Sequence, residues 1–236
     1  MKRAIFALAI AAACLACAPA DARMSLAAGQ CLNKFHSPAE RVEYCKSYAQ
    51  DGQADPDHYQ AGEYALGWAY RLAGDFPNAE TTMSDVIRLD PSWINAWMER
   101  STAYAEDGKY SEALGDVEQI ARMTDDEALP QMQRCWVRAI AGKDLELAAA
   151  DCESAMGHYP ADFAVQLARA LTDYKRGDRK AAIAACDIAI ASRPKGAGAY
   201  YMRGVAKGAD GADDIKSAKD LDPYIDEEFA GYGVKP

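Results

Sequence analysis

The sulfur atoms are the groups in this sequence whose spacing says most about chemistry. The seven cysteines are Cys14, Cys17, Cys31, Cys45, Cys135, Cys152 and Cys186. A structural zinc site needs C-x-x-C pairs or a histidine cluster, but His36, His58 and His158 stand far apart. The one C-x-x-C pair, Cys14–Cys17, is also the spacing typical of a redox-active dithiol. The sequence therefore predicts no metal site. Disulfide formation remains a possible role for the cysteines that follow Cys17.

The N-terminus has the pattern of a secretory signal peptide. Lys2 and Arg3 precede an apolar run over 4–16, which is followed by an A-x-A cleavage site at 20–22. The apolar run is too short to span a bilayer. We therefore expect residues 1–22, with their C-x-x-C pair, to be removed. The mature chain is predicted to be periplasmic or secreted, where disulfides persist.

Attachment to a membrane or to nucleic acid is not favoured. Cys14 and Cys17 lack the large aliphatic residue three positions earlier that a lipidated cysteine requires, so no lipid anchor is expected. Loss of residues 1–22 removes two of the 26 basic and one of the 36 acidic residues, which leaves a net charge of −11. A surface with this charge repels phosphate backbones and anionic lipids.

Glycine, aromatic, alanine and proline residues recur at a spacing of 34 residues. The segment 65–91 aligns with 100–126. The aligned pairs are Gly67 with Ser101, Tyr70 with Tyr104, Gly74 with Gly108, Phe76 with Tyr110 and Ala79 with Ala113. Two later copies are marked by Gly142, with one residue inserted after it, and by Gly177, and a shortened copy runs over 197–223. Without sustained period-2 alternation, the chain is predicted to be all helical.

Each recurring residue has a mechanical role in a pair of helices. A small residue such as Gly67 lets two helices approach closely, Gly74 ends the first helix in a left-handed conformation, and Pro91 separates one pair from the next. These residues and spacings resemble the tetratricopeptide repeat over residues 60–223. The resemblance implies an all-α, right-handed superhelical solenoid of antiparallel helix pairs, with about four full repeats and one shortened repeat.

The segments outside the repeats are predicted to cover the ends of the stack. Ser37, Pro38 and Glu40 form a capping box with proline at the first helical position. Helices over 25–34 and 38–50 would form a leading hairpin, and a helix over 224–230 would cap the other end. The predicted organisation is a signal peptide over 1–22, an N-terminal helical hairpin over 23–56 and a repeat solenoid with a C-terminal capping helix over 57–236.

Four cysteines lie in mirror positions about two predicted turns. Cys135 and Cys152 are equally distant from the turn of the third repeat, and Cys31 and Cys45 are equally distant from position 38. Residues equidistant from the turn of an antiparallel helix pair face each other, so two disulfides are predicted. Cys186 occupies the inward position equivalent to Cys152 and is predicted to be a buried, unreactive thiol.

Two stretches also resemble a narrower group of proteins. They are RCWVRAIAGKDLELAAADC at 134–152 and DLDPYIDEEFAGYGVKP at 220–236. Both are similar to the third repeat and the C-terminal end of exported bacterial tetratricopeptide-repeat proteins. The similarity implies a location in the cell envelope and the third-repeat disulfide, and it leaves the partner open.

The resemblance also implies a groove lined by the first helix of each pair. The positions that would face it are Tyr64, Trp68, Arg71, Asn95, Met98, Thr102, Met132, Trp136, Leu167, Leu171, Tyr174, Tyr201 and Val205. Aromatic and methionine side chains there suit an apolar or amphipathic peptide, not the terminal carboxylate that some of these repeats bind. Two alternatives stay open: the same residues form core, or the C-terminal segment covers part of the groove. Trp93 and Trp97 lie at the join of two repeats and are predicted to pack there.

No catalytic constellation is present in the sequence. Carboxylates fall on outer faces or at predicted caps, such as Asp75, Asp178 and Asp210. There is no Ser-His-Asp set, phosphate loop or dinucleotide fingerprint. The sequence therefore predicts a non-catalytic periplasmic scaffold, without cofactor, that binds a protein or peptide through the groove. The alternative is a structural accessory of the cell envelope that does not use the groove.

Overall fold

The computed structural model describes residues 20–52 and 56–236, with side chains over 26–52 and 58–236. Residues 1–19 of the predicted signal peptide lie outside the described residues. The helices are α1 Ala20–Cys31, α2 Pro38–Asp51, α3 Pro56–Leu72, α4 Phe76–Leu89, α5 Ile94–Glu106, α6 Tyr110–Met123, α7 Ala128–Ala141, α8 Leu145–His158, α9 Phe163–Lys175, α10 Arg179–Ser192, α11 Ala197–Lys207, α12 Ala212–Leu221 and α13 Ile225–Gly231, with a 3-10 helix at Gly208–Gly211. Among these helices, none combines the length and apolar character needed to cross a bilayer.

The helices pack as a stack of pairs. The repeats are the pairs α3/α4, α5/α6, α7/α8, α9/α10 and α11/α12, and the pair α1/α2 precedes them. The first helices of successive repeats contact one another, from α3 to α11, and each second helix packs on the next first helix. This arrangement confirms the predicted fold class. The first helices form an inner layer, whose free side we call the concave face.

Small residues set the distance between the helices of a pair. A Cβ atom at Gly67 would lie 2.8 Å from Cε of Met83, and one at Gly204 would lie 2.8 Å from two side-chain atoms of Ile215. Both contacts are shorter than a real Cβ tolerates, so a larger residue at either position would force the facing side chain of the second helix to move. Ala79 and its repeat equivalent Ala113 are almost completely buried. The predicted role of these small residues is confirmed.

The turns within the pairs use left-handed backbone. Gly74 and Gly108, at equivalent positions, have φ of 73° and 76°, a region that costs glycine little. In the longer third turn, Asp144 also has a positive φ of 50°, and its carboxylate accepts a 2.8 Å hydrogen bond from the Tyr110 hydroxyl. This contact ties the inserted residue to the preceding repeat.

Helix starts follow the predicted capping chemistry at three of four positions. The capping box of Ser37 and Glu40 is present at α2. The carboxylates of Asp75 and Asp178 accept from backbone amides at the starts of α4 and α10. Asp210, predicted as a further cap, lies instead inside the 3-10 helix, because the shortened repeat joins α11 to α12 without a separate turn.

Two disulfides join helices within their pairs, as predicted. Cys31 and Cys45 connect α1 to α2 with a Cα–Cα distance of 4.6 Å, and Cys135 and Cys152 connect α7 to α8 at 5.4 Å. All four residues are completely buried. Cys186 is unpaired and also completely buried, in agreement with its predicted inward position.

The Cys135–Cys152 bridge should contribute to stability by restricting the unfolded chain. It closes a sequence separation of 17 residues, for which loop-closure entropy predicts about 3 kcal/mol. We expect Cys135→Ala/Cys152→Ala to lower the free energy of unfolding by about this amount in urea titrations. The matched control is Cys186→Ala, which alters a buried thiol without a bridge and should cost about 1 kcal/mol. Equal losses in the two proteins would contradict a stabilising bridge.

Candidate functional site on the concave face

The C-terminal residues of the chain lie across the concave face. We call residues 225–234, which contain α13, the C-terminal segment. Phe229 packs on Tyr201 of α11, with ring centroids 4.9 Å apart, and Tyr232 meets Trp136 of α7 edge-on at 5.1 Å. The side chains of Phe229 and Tyr232 are almost completely buried. The predicted terminal helix therefore covers part of the concave face besides capping the last repeat.

The predicted groove residues form three groups in the structure, and one of them, Asn95, lies apart. Those under or beside the C-terminal segment are Arg71, Leu171, Tyr174, Tyr201 and Val205, of which Tyr174 alone is partly exposed. Tyr64 and Trp68 pack instead with Trp93, Trp97 and Met83 between the first two repeats, so the predicted packing role of Trp93 and Trp97 is confirmed. Asn95 is exposed near the start of α5. The third group is Met98, Thr102, Met132, Trp136 and Leu167, which meet in one open cleft.

The open cleft lies between α5, α7 and α9 and has a volume of about 280 Å³. Its residues are Met98, Glu99, Thr102, Met132, Gln133, Trp136, Phe163, Ala164, Leu167 and Arg193. The prediction did not include Phe163, although its spacing of four residues from Leu167 places both on one side of α9. Arg193 stacks over Phe163, with its guanidinium carbon 4.5 Å from the ring centroid. Only the packing of α10 against α9 reveals that contact.

Polar groups at the base of the open cleft are already bonded to one another. The buried Gln133 amide donates to the Ser101 hydroxyl at 2.7 Å and to the Met98 carbonyl at 3.0 Å. The Thr102 hydroxyl donates to the same carbonyl at 3.0 Å. Because these donors are satisfied within the protein, the cleft offers an incoming group mainly apolar contacts.

Arg71 connects the inner layer to the C-terminal segment. Its guanidinium donates to Glu99 at 2.8 Å, to Glu106 at 3.1 Å and to the Tyr232 hydroxyl at 3.4 Å. The Tyr232 hydroxyl in turn donates to Glu228 at 2.6 Å. Burial raises the pKa of Glu106 to about 7, with Arg71 opposing and the nearby Glu228 and Glu99 adding to the rise. Three carboxylates thus surround one guanidinium.

The described residues do not form a metal centre, and their unpaired cysteine is not an accessible nucleophile. Within residues 20–52 and 56–236, no group of three or more His, Cys, Asp or Glu side chains is placed to hold a metal ion. The Cys186 thiol is completely buried, and this burial raises its pKa to about 12. A nucleophilic cysteine needs an accessible thiolate, so this thiol does not supply one.

Comparison with known structures identifies the fold of this chain. No protein-family model and no curated protein matches the chain. The structure of TTC0263, a thermophilic tetratricopeptide-repeat protein of Thermus thermophilus, is similar over 77% of this chain and 90% of its own, with 19% identity and a TM-score of 0.55. The APC/C hetero-tetramer Cut9–Hcn1 is similar over 79% of this chain, with 17% identity and a TM-score of 0.57, and the match spans 42% of that chain. These similarities define the chain as a protein of tetratricopeptide-repeat fold.

Glu106 should make stability depend on pH. It faces Arg71 from α3, Glu99 from its own helix, and Glu228 and Tyr232 from the C-terminal segment. Its pKa of about 7 exceeds the value of about 4.3 for an unfolded chain, so the folded protein binds the extra proton between these values. The stability from this proton is present in full below the unfolded pKa and is lost as pH rises through 7.

The measurement compares urea unfolding of wild type and Glu106→Gln across this pH range. We expect the free energy of unfolding of wild type to fall by about 3 kcal/mol relative to the variant as pH rises from about 4.5 to 7.5. Glu118→Gln, at an exposed position of α6, serves as the control and should follow wild type. Identical pH profiles for wild type and Glu106→Gln would contradict this titration.

The Cys186 thiol should be unreactive in the native protein. We expect Ellman's reagent to label it only after denaturation, because its sulfur is buried and its pKa is raised. Leu147→Cys places a thiol at an exposed position, where Leu147 is 55% exposed, and should react at once. Rapid native labelling of Cys186 in wild type would show that the thiol is accessible.

Proposed function

We propose that this protein is an exported, non-catalytic scaffold that binds a protein or peptide segment through the open cleft. The observation that carries the proposal is the cluster of partly exposed apolar side chains around that cleft. Met98, Met132, Trp136, Phe163 and Leu167 contribute to its walls. Aromatic and methionine side chains are the types enriched at the centres of protein interfaces.

The dimensions of the cleft favour a side-chain anchor over a small metabolite. Its volume of about 280 Å³ is at or below the lower end of ordinary small-molecule sites. It suits one or two large apolar side chains of a peptide. Glu99 and Arg193 at the edge can orient the polar backbone or the charges beside such an anchor. An apolar or amphipathic segment is therefore the proposed ligand.

The exported location is also part of the proposal. It is supported by the signal-peptide pattern over 1–22 and by two buried disulfides, since such bridges persist in oxidising compartments. The chain without residues 1–22, with a net charge of −11, fits a protein partner better than nucleic acid.

Selection from a random peptide library displayed on phage tests the cleft directly. We expect wild type to enrich peptides with an aromatic or long aliphatic residue. Ala164→Arg should weaken binding of the selected peptides by at least about tenfold, as measured by fluorescence anisotropy, because it places a long charged side chain at the mouth of the cleft. Ala164 is exposed, so the fold should tolerate the change.

The matched control is Ala184→Arg, the same change at an exposed position of α10 in the outer layer. It should leave binding unchanged. Absence of enrichment on wild type, or equal binding by Ala164→Arg, would reject the cleft as the site. Loss of binding in Ala184→Arg alone would indicate that the peptides bind the outer face. That result would favour the alternative function, a structural accessory of the cell envelope that does not use the groove.

A further inference from the structure

The C-terminal segment covers a surface that continues the open cleft. A second cavity of about 230 Å³ lies between the segment and the inner layer, and it shares Trp136, Phe163 and Leu167 with the open cleft. Phe229 and Tyr232 form its opposite wall. The cleft is therefore the uncovered end of a longer apolar groove, whose remainder the chain occupies with its own residues.

The covered surface carries cationic groups despite the acidic composition of the chain. Arg71 is 7% exposed under the segment. The Lys175 ammonium donates to the Ile140 carbonyl at 2.8 Å, and it lies 3.8 Å from the position that a Cβ atom would take at Gly233. At the edge, Lys219 pairs with Asp226 of the segment at 2.8 Å. Arg71 is already paired with Glu99 and Glu106 of the inner layer, so Lys175 and Lys219 are the cations that favour acidic or hydroxyl groups on a ligand, among apolar ones.

The segment supplies this chemistry but fits incompletely. Ile225, Phe229 and Tyr232 recur at helical spacing and are buried against the inner layer. The Glu106 Oε2 atom, however, is buried without a hydrogen-bond partner. An open pocket of about 250 Å³ remains between Arg71 of the inner layer and Glu227, Glu228 and Gly231 of the segment. A buried carboxylate oxygen without a partner lowers the stability of the covered state.

We propose that the C-terminal segment is an internal occupant of the groove, and that the partner is an acidic amphipathic helix with the same apolar spacing, which replaces it. The inference rests on the proposed function, since the partner would enter through the open cleft. It adds the class of partner. It also adds that the partner and the C-terminal segment compete for the groove, because a ligand can occupy the whole groove only when the segment has left it. The apparent affinity for a partner is then the intrinsic affinity multiplied by the fraction of molecules in which the segment has left the groove.

A peptide with the sequence of residues 222–236 is the probe. Labelled with fluorescein, it should bind full-length Phe229→Ala/Tyr232→Ala at least about tenfold more tightly than wild type, because the variant loosens the competing segment. A control peptide with alanine at the same two positions should not bind either protein. Adding Ala184→Arg, at an exposed position of the outer layer, to the variant should leave affinity for the probe almost unchanged.

The results separate this inference from the proposed function. If library-selected peptides bind wild type while the variant binds the probe no better than wild type does, the replacement model is overturned and the open cleft stands. If both kinds of peptide fail to bind, both proposals fail.

Hydrogen exchange of unmodified full-length protein provides a test that does not depend on the variant folding. The Val234 amide donates to the Phe229 carbonyl at 2.9 Å, so it reports opening of the segment. We expect amides of 225–234 to exchange at least about tenfold faster than those of α9, through local opening. Exchange of both regions at one slow rate would mean that the segment leaves only when the whole stack unfolds, and would overturn the proposal.

Discussion

An isolated pair of helices cannot bury its apolar face, and this constraint governs the whole molecule. Each pair becomes stable only when its neighbours cover it. The contact requires close approach, which Gly67 and Gly204 permit because a side chain there would collide with Met83 or Ile215. Every repeat thus depends on the next one, and the last repeat requires a cover that is not a repeat.

The C-terminal segment provides this cover and also extends beyond the end of the stack. It turns after Pro223 and crosses the inner layer, where its aromatic side chains contact α7 and α11 and Tyr232 reaches Arg71 of α3. Near its start, Asp222 lies 3.8 Å from Arg41 of the N-terminal hairpin. The N-terminal hairpin and the start of the C-terminal segment therefore approach each other, and the width of the available groove depends on the position of one short helix.

Electrostatics oppose apolar packing at this position. Burial of Phe229 and Tyr232 removes large aromatic surfaces from water, which favours the covered state. The same arrangement places Glu228 near Glu99 and Glu106 around a single guanidinium, which disfavours it. The covered state of the concave face is therefore a balance between apolar burial, which stabilises it, and repulsion among carboxylates, which opposes it.

Local and periodic features could be predicted from the sequence, since their causes lie within one helix pair or recur from one pair to the next. The 34-residue repeat indicates the stack, Ser37 and Glu40 indicate a helix start, and equal distances from a turn indicate both disulfides. The concave face could be predicted only as a set of positions. Trp68 and Trp136 occupy equivalent positions in their repeats, yet Trp68 packs into a join and Trp136 lines the cleft.

Only the tertiary structure decided which part of the concave face is open. Tyr232 and Arg71 are 161 residues apart in the chain, and no periodic pattern connects them. Their contact depends on the summed rotation of five helix pairs and on the direction of the chain after Pro223. The sequence by itself therefore determined the repeating units and their local bonds. The position of the C-terminal segment in three dimensions determined which residues of the concave face remain open to solvent.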